Sequence, residues 1–92
     1  MSKTMLIEDI MQRADGLAKK DVQKVLEAFV ESVQDNVATG VDVNLTGFGR
    51  FTRVERSART GRNPQTGVEI RIPAAKVPSF KAGKVFKDKV NG

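Results

Sequence analysis

Apolar residues in the first part of the chain recur at intervals of three and four, the spacing of one face of an α-helix. This pattern predicts a first helix that begins at Ser2, its N-cap, and ends near Ala14. A longer apolar stripe predicts a second helix over residues 19–38, which Gly40 terminates. Residues 1–40 are therefore predicted to form a hairpin of two amphipathic helices.

The hydrophobic period then changes to two, the period of a strand with one buried face. A first strand begins at residue 41, and a second follows the turn at residues 46–49 and continues through an arginine-rich segment. A third alternates from Val68 to Ile72, with Glu69 and Arg71 on its other side. The chain is predicted to end in a short basic helix.

This element order, two helices, three strands and one helix, indicates an α+β fold in a single domain of 92 residues. Residues 1–40 are the helical hairpin, residues 41–80 a three-stranded antiparallel sheet with an extended β-ribbon arm, and residues 81–92 the short C-terminal helix. A chain of this length buries only a small core, so we expect it to be stabilised by association with other chains.

Charge is segregated along the chain. Residues 1–49 contain five cations and eight acids, whereas residues 50–92 contain six Arg and five Lys against three acids. The corresponding net charges, −3 and +8, account for the total of +5. A strongly cationic half is typical of proteins that bind a polyanion, so the asymmetry indicates nucleic acid as the partner.

Arginine recurs at every third position from residue 50 to residue 62. On a helix this spacing would give a basic stripe that drifts slowly around the surface. Thr52, Val54 and Thr60 favour a strand instead, with arginines alternating between its two faces. A merely solvated charged ribbon is the alternative, although five arginines against one glutamate exceed what solubility requires.

Residues 63–67, Asn-Pro-Gln-Thr-Gly, join the second and third predicted strands. Pro64 has no N–H to donate, so it belongs at the tip of a ribbon rather than inside a ladder. Proline is common in turns for that reason alone. The functional alternative is a rigid apolar wedge, which DNA-bending proteins insert between base steps from the minor groove. Since residues 54–77 contain little apolar area, we expect them to be mobile until a partner orders them.

The residue types that most enzymes and metal sites need are missing. The chain has neither Cys nor His, which excludes disulfides, thiolate metal sites and a histidine base. The Gly-Phe-Gly at residues 47–49 lacks the third glycine of a dinucleotide fingerprint, and the helix carboxylates are expected to be solubilising charge. We therefore expect no catalytic residue, metal, cofactor or small-molecule substrate. No apolar run is long enough to cross a membrane, which predicts a soluble intracellular protein.

Four ordered segments give the chain a family resemblance along essentially its whole length. They are Gly-Phe-Gly-Arg-Phe at residues 47–51, Ala-Arg-Thr-Gly-Arg-Asn-Pro-Gln-Thr-Gly at 58–67, Ile-Pro-Ala at 72–74 and Val-Pro-Ser-Phe-Lys-Ala-Gly-Lys at 77–84. In these segments the chain resembles the bacterial histone-like HU and integration host factor family. The resemblance implies an intertwined homodimer, in which two β-ribbon arms extend from a sheet above the helical hairpins and reach around double-stranded DNA.

The resemblance also implies the site residues. Pro64 at each arm tip is expected to intercalate in the minor groove and kink the duplex. The other arm residues expected to contact DNA are Arg53, Arg56, Arg59, Arg62, Asn63, Gln65, Thr66, Arg71 and Lys76. The residues expected to bind flanking phosphates from the body, together with helix N-termini, are Lys3, Lys84 and Lys87. The dimer core is expected to contain Phe29, Phe48, Phe51 and Phe80.

The expected function is largely sequence-independent binding and bending of double-stranded DNA, which compacts and organises chromosomal DNA in the nucleoid of the bacterial cytoplasm. Arginines in the minor groove discriminate bases poorly because the acceptor pattern there is degenerate. A preference for nicked or distorted DNA is left open. Two alternatives remain. One is a sequence-specific subunit similar to integration host factor, and the other is an RNA-binding module, for which the arm lacks stacking aromatics.

Overall fold

The computed structural model describes all 92 residues. Its elements are, in chain order, α1 (Lys3–Arg13), α2 (Lys19–Ala38), β1 (Val43–Leu45), β2 (Gly49–Arg56), β3 (Arg59–Arg62), β4 (Glu69–Ile72), β5 (Ala75–Ala82) and α3 (Lys84–Asn91). The predicted α+β class is confirmed, and α2 has the bounds that its apolar stripe indicated. The chain divides into two compact units, residues 1–35 and residues 36–92.

The first unit contains α1 and most of α2. Ser2 caps α1 as predicted, since its hydroxyl accepts a hydrogen bond from the backbone N–H of Met5 at 3.2 Å. Ile7 and Val22 are buried, in agreement with the apolar faces expected of the two helices. Other side chains of the same α2 stripe remain exposed, among them Val25, Phe29 and Val30. A single chain therefore leaves much of this apolar stripe uncovered.

α2 ends in a Schellman motif built around Gly40. The backbone N–H of Gly40 donates to the carbonyl of Val37 at 3.0 Å, and that of Val41 donates to the carbonyl of Asn36 at 2.9 Å. Gly40 has a φ of +89°, in the left-handed region where a side chain would be strained. The predicted helix stop at this glycine is therefore confirmed.

β2 is the centre of a three-stranded antiparallel sheet with the order β1–β2–β5. β1 pairs only with the first part of β2, as far as Val43 opposite Phe51. β5 pairs with β2 along its whole length. β3 and β4 form a separate two-stranded antiparallel sheet. We call these two strands and the loop between them, residues 59–72, the ribbon.

The ribbon continues the β2–β5 hairpin in the same register, without a bulge. The last β2–β5 pair is Arg56 with Ala75, and the first β3–β4 pair is Arg59 with Ile72, so two residues on each side separate the ladders. One of these residues is Pro73, which has no N–H and cannot donate a ladder hydrogen bond. The interruption therefore has a local chemical cause.

The predicted three-stranded antiparallel sheet with a ribbon arm is confirmed, but the chain contains five strands in sequence order rather than the three that were predicted. The interruption beside Pro73 divides the predicted second strand into β2 and β3, and the segment after Pro73, for which no strand was predicted, forms β5. Pro78 lies inside β5, which is possible because β5 is an edge of the sheet. The closing helix begins at Lys84, later than predicted, because β5 extends to Ala82.

Four phenylalanines cluster in the second unit. The ring centroid of Phe48 lies 5.1 Å from that of Phe80 and 5.5 Å from that of Phe86, and the rings of Phe51 and Phe80 are 4.8 Å apart. Gly49 is buried in this region, where a Cβ would come within 2.6 Å of a backbone carbonyl oxygen. Phe48 and Phe80 each remain 41% exposed. The cluster therefore has an uncovered side.

Candidate nucleic-acid interface

The ribbon has one polar face and one largely apolar face. Residues opposite each other in the ladder share a face, and successive residues along a strand alternate between faces. The register places Thr60, Arg62, Glu69 and Arg71 on one face, and Arg59, Gly61, Ile70 and Ile72 on the other. The predicted alternation of the third strand is therefore confirmed within β4. Ile70 is 46% exposed, so the ribbon does not cover its own apolar face.

The loop at the tip of the ribbon is held by hydrogen bonds to Asn63. Its side-chain oxygen accepts from the backbone N–H of Gln65 at 2.8 Å and from that of Thr66 at 3.4 Å. Its backbone oxygen accepts from the N–H of Gly67 at 2.8 Å. Pro64 occupies the turn and is exposed, as are Gln65 and Thr66. Asn63 therefore builds the turn from which the proline ring is accessible.

Most of the cations predicted to contact DNA have no acidic partner. The ion pairs of the chain leave six of them unpaired, namely Arg56, Arg59, Arg62, Arg71, Lys76 and Lys87. All six are exposed. Glu69 is the one carboxylate within the ribbon, and it forms no ion pair. Uncompensated positive charge therefore lines the ribbon and the ends of the strands that lead to it.

Two lysines predicted to bind phosphate are paired with carboxylates. Lys3 Nζ donates to Glu27 Oε1 at 2.7 Å, and Lys84 Nζ donates to Asp88 Oδ2 at 3.0 Å. The four side chains are all largely exposed, so a phosphate has access to either lysine. The hydrogen bond from Lys3, with a second from Gln23, holds the pKa of Glu27 below its ordinary value.

Other helix carboxylates also form surface ion pairs. Asp9 pairs with Arg13 at 2.9 Å, and Glu8 pairs with Lys19 at 3.6 Å.

No group of acidic side chains is arranged to hold a metal ion. None of the three helices combines the length and the apolar character that crossing a membrane requires.

Arg53 is placed differently from the other arginines predicted to contact DNA. Its Nη1 donates to the carbonyl oxygen of Ala38 at 3.0 Å, and its Nη2 donates to Glu55 Oε1 at 3.0 Å. Only 25% of its side chain is exposed. Glu55, two residues further along the predicted strand, was a sequence signal for the second contact, whereas nothing in the sequence marked the carbonyl of Ala38. Its guanidinium is engaged inside the second unit.

α3 begins without a side-chain cap. Its N-cap is Gly83, whose own N–H donates to the carbonyl of Phe48 at 2.9 Å and so joins the start of the helix to the phenylalanine cluster. The first N–H groups of an uncapped helix favour an anion. Lys84 and Lys87 lie in and just after the first turn, so this helix start suits a phosphate.

The structure brings together three of the four phenylalanines predicted for the dimer core, Phe48, Phe51 and Phe80. It adds Phe86 from α3, which was not among the residues predicted for the dimer core. Phe29 lies on α2, in the first unit, and is 39% exposed.

Comparison with known proteins places these features in a family. The sequence model of the family described as "Bacterial DNA-binding protein" matches residues 1–91. The DNA-binding protein HU-beta of Serratia marcescens is 55% identical to this chain over 91 residues, which cover 99% of this chain and 100% of that protein. The DNA-binding protein HU of Staphylococcus aureus strain COL is 54% identical over 90 residues, with coverage of 98% and 99%.

The fold is also found among solved structures. The chain in an Anabaena HU–DNA cocrystal structure matches with a TM-score of 0.86 and 43% sequence identity. The match covers 98% of this chain and 97% of that one. By sequence model, by identity and by structure, the chain belongs to the bacterial DNA-binding protein family of the HU type.

Proposed function

We propose that this protein is a homodimer that binds and bends double-stranded DNA largely independently of base sequence, and so organises chromosomal DNA in the bacterial nucleoid. The ribbon carries this proposal, because it combines exposed arginines that have no acidic partner with a turn at which Pro64 is accessible. Each protomer, residues 1–92, acts as one DNA-binding domain.

The arginines of the ribbon supply affinity. Arg59, Arg62 and Arg71 have no ion pair to break before they meet a phosphate, so neutralising the backbone costs them no internal contact. Their planar guanidinium groups can donate two hydrogen bonds to one phosphate. In the minor groove they meet a degenerate pattern of acceptors, which explains binding without a fixed base sequence.

Pro64 supplies the bend. A proline ring that enters between base steps costs a few kcal/mol of unstacking, which is offset because a bent duplex wraps around more of the protein surface. The hydrogen bonds that Asn63 accepts from Gln65 and Thr66 favour the turn conformation, so they reduce the entropy that is lost when the tip binds DNA. Val68 and Ile70, both exposed, extend the apolar surface from the tip along the ribbon.

The uncovered apolar surface supports the homodimer. Ile7, Val22 and Val37 are the only buried hydrophobic residues of the chain, whereas fifteen large hydrophobic residues are exposed. A chain of this length with so small a core is not expected to be stable alone. The exposed sides of Phe48 and Phe80, together with the exposed stripe of α2, are surfaces that a second copy would cover.

The helices α1 and α3 supply the contacts to flanking phosphates. The uncapped start of α3 carries Lys84 and Lys87, and α1 carries Lys3. Lys3 and Lys84 have carboxylate partners, so their contribution to binding is reduced by the ion pairs that DNA must replace.

A gel-shift series on linear, nicked and four-way DNA tests the proposal. Linear duplexes of unrelated sequence should bind with similar affinity, and nicked DNA should bind more tightly because its unstacking is partly complete. Arg59→Ala should weaken binding to every duplex. The main effect of Pro64→Ala should be the loss of the preference for nicked over linear DNA. A strong preference for one duplex sequence over random competitor, or for single-stranded RNA, would contradict the proposal.

A further inference from the structure

Arg53 lies at the point where the sheet changes from three strands to two. Phe51 is the last residue of β2 that pairs with β1, and Arg53, two residues further on, has only Pro78 of β5 opposite it. From here β2 and β5 continue as a hairpin to the ribbon. A side chain anchored at this position can therefore restrain the direction in which the hairpin leaves the sheet.

The anchor is the carboxyl end of α2. The backbone hydrogen bonds of the Schellman motif satisfy the carbonyls of Asn36 and Val37 but not that of Ala38, which accepts from Arg53 Nη1 at 3.0 Å instead. α2 has no basic residue in its own last turn. A cation at a helix C-terminus is favourable because it opposes the negative end of the helix dipole. Arg53 supplies this charge from the sheet.

Gly40 leaves the space that the guanidinium occupies. A Cβ on Gly40 would come within 3.2 Å of Arg53 Nη2. Nη2 itself donates to Glu55 Oε1 at 3.0 Å, so both terminal nitrogens of the guanidinium hold an acceptor within the protein. The glycine that ends α2 therefore makes room for the arginine that caps it.

We propose that Arg53 is a positioning residue, which ties the β2–β5 hairpin, from which the ribbon extends, to the end of α2. In this way it determines how far the protein bends DNA, without itself contacting a phosphate. This inference rests on the proposed function. It separates Arg53 from Arg56, which lies on the opposite face of β2 and forms no ion pair. Arg56 is free to neutralise a phosphate, whereas Arg53 would first have to leave two acceptors.

Salt titrations of DNA affinity for Arg53→Met and Arg56→Met separate the two roles. In a plot of log affinity against log salt concentration, Arg53→Met should give a line parallel to that of the wild type but about three- to tenfold lower in affinity. The substitution removes the positioning contact, but it does not change the number of counterions released on binding. Arg56→Met should give a shallower line, by about 2 in slope for the two copies in a dimer. If Arg53→Met flattens the line as Arg56→Met does, Arg53 contacts phosphate and the inference is wrong.

The bend at saturation, measured by fluorescence transfer between the ends of a labelled duplex, distinguishes positioning from mere stabilisation. Arg53→Met should bend DNA less than the wild type, and Arg53→Lys, which keeps the charge and one hydrogen bond, should recover part of the bend. A wild-type bend in Arg53→Met would overturn the inference. If the wild type itself shows no salt dependence and no bend, it is the proposed function that fails.

Nitrogen NMR of the arginine side chains tests the positioning role of Arg53 in the unmodified protein. This test remains valid even if a variant does not fold. The Arg53 guanidinium should show hindered rotation without DNA, and its resonances should change little when a duplex is added. Those of Arg59 should shift strongly on the same addition. Free rotation of Arg53 in the absence of DNA, or a shift as large as that of Arg59, would refute the positioning role.

Discussion

Replacing Arg62 with alanine removes a ribbon cation that forms no ion pair, although Glu69 lies opposite it in the ladder. A cation that neutralises a phosphate contributes about 0.9 to the slope of log affinity against log salt concentration. Since the proposed homodimer carries this arginine twice, Arg62→Ala should reduce the slope by about 1.8. Raising the salt from about 50 to about 200 mM should then weaken wild-type binding about twelvefold more than it weakens binding by the variant.

The structure also bounds the slope of the wild type. Six exposed cations of the predicted contact set are unpaired in each chain. If a duplex engages about 6–10 of the resulting cations in the dimer, the slope is about −5 to −9. Fluorescence anisotropy of a labelled duplex, titrated with protein at several salt concentrations, measures both slopes. Arg13→Ala is the matched control, since it removes the same charge but from an arginine paired with Asp9 at 2.9 Å.

Three results would refute this reasoning. A wild-type slope near −1 would mean that the charge of the ribbon is not bound to a phosphate backbone. A steep but unchanged slope in Arg62→Ala would mean that this side chain does not contact DNA. An equal loss of slope in Arg13→Ala would mean that net charge, rather than the placement of cations on the ribbon, determines binding.

Three other substitutions test assembly, bending and acid stability. Phe48→Ala should lower the free energy of unfolding by about 3–5 kcal/mol if the dimer fully buries the ring, and the unfolding midpoint should rise with protein concentration; a folded, concentration-independent monomer in sedimentation would contradict this. Pro64→Ala should reduce the DNA bend measured by fluorescence transfer at saturation, whereas an undiminished bend would leave the proline as a turn residue only. Glu27 has a lowered pKa in the folded state, so its interaction with Lys3 stabilises the fold above the ordinary pKa of 4.5 and is lost as the pH falls through the lowered value. When the pH is lowered from above the ordinary pKa of Glu27 to below its lowered pKa, the Tm of Glu27→Gln should therefore fall less than the Tm of the wild type. The same dependence of Tm on pH in the two proteins would exclude this contribution.

Features that depend on neighbours in the sequence were predicted correctly. α2 ends where expected because Gly40 adopts a conformation that other residues avoid and closes the helix with bonds to residues only a few positions away. Pro64 lies in the turn of the ribbon because a residue without an N–H fits there, and Asn63 bonds to residues two and three positions later.

Strand pairing depended on residues far apart and was predicted less well. β5 has a proline at its centre and little period-two alternation, so nothing local indicated a strand. It forms because β2 pairs with it along its whole length. The division between β2 and β3 also depends on a residue that is distant in sequence. Pro73, on the opposite side of the hairpin between β4 and β5, lacks the ladder donor, so the segment between β2 and β3 itself contained no sign of the break.

The sequence by itself determined the two helices, the cationic half of the chain and the turn that contains Pro64, because each follows from residue type and from spacing over a few positions. Only the tertiary structure decided which arginines are free to bind a phosphate. Arg53 and Arg56 are three residues apart on one strand, yet folding brings the carbonyl of Ala38, which is distant in sequence, to Arg53 alone. The availability of a guanidinium depends on the acceptors that the fold places around it, and the interval between arginines carries no information about them.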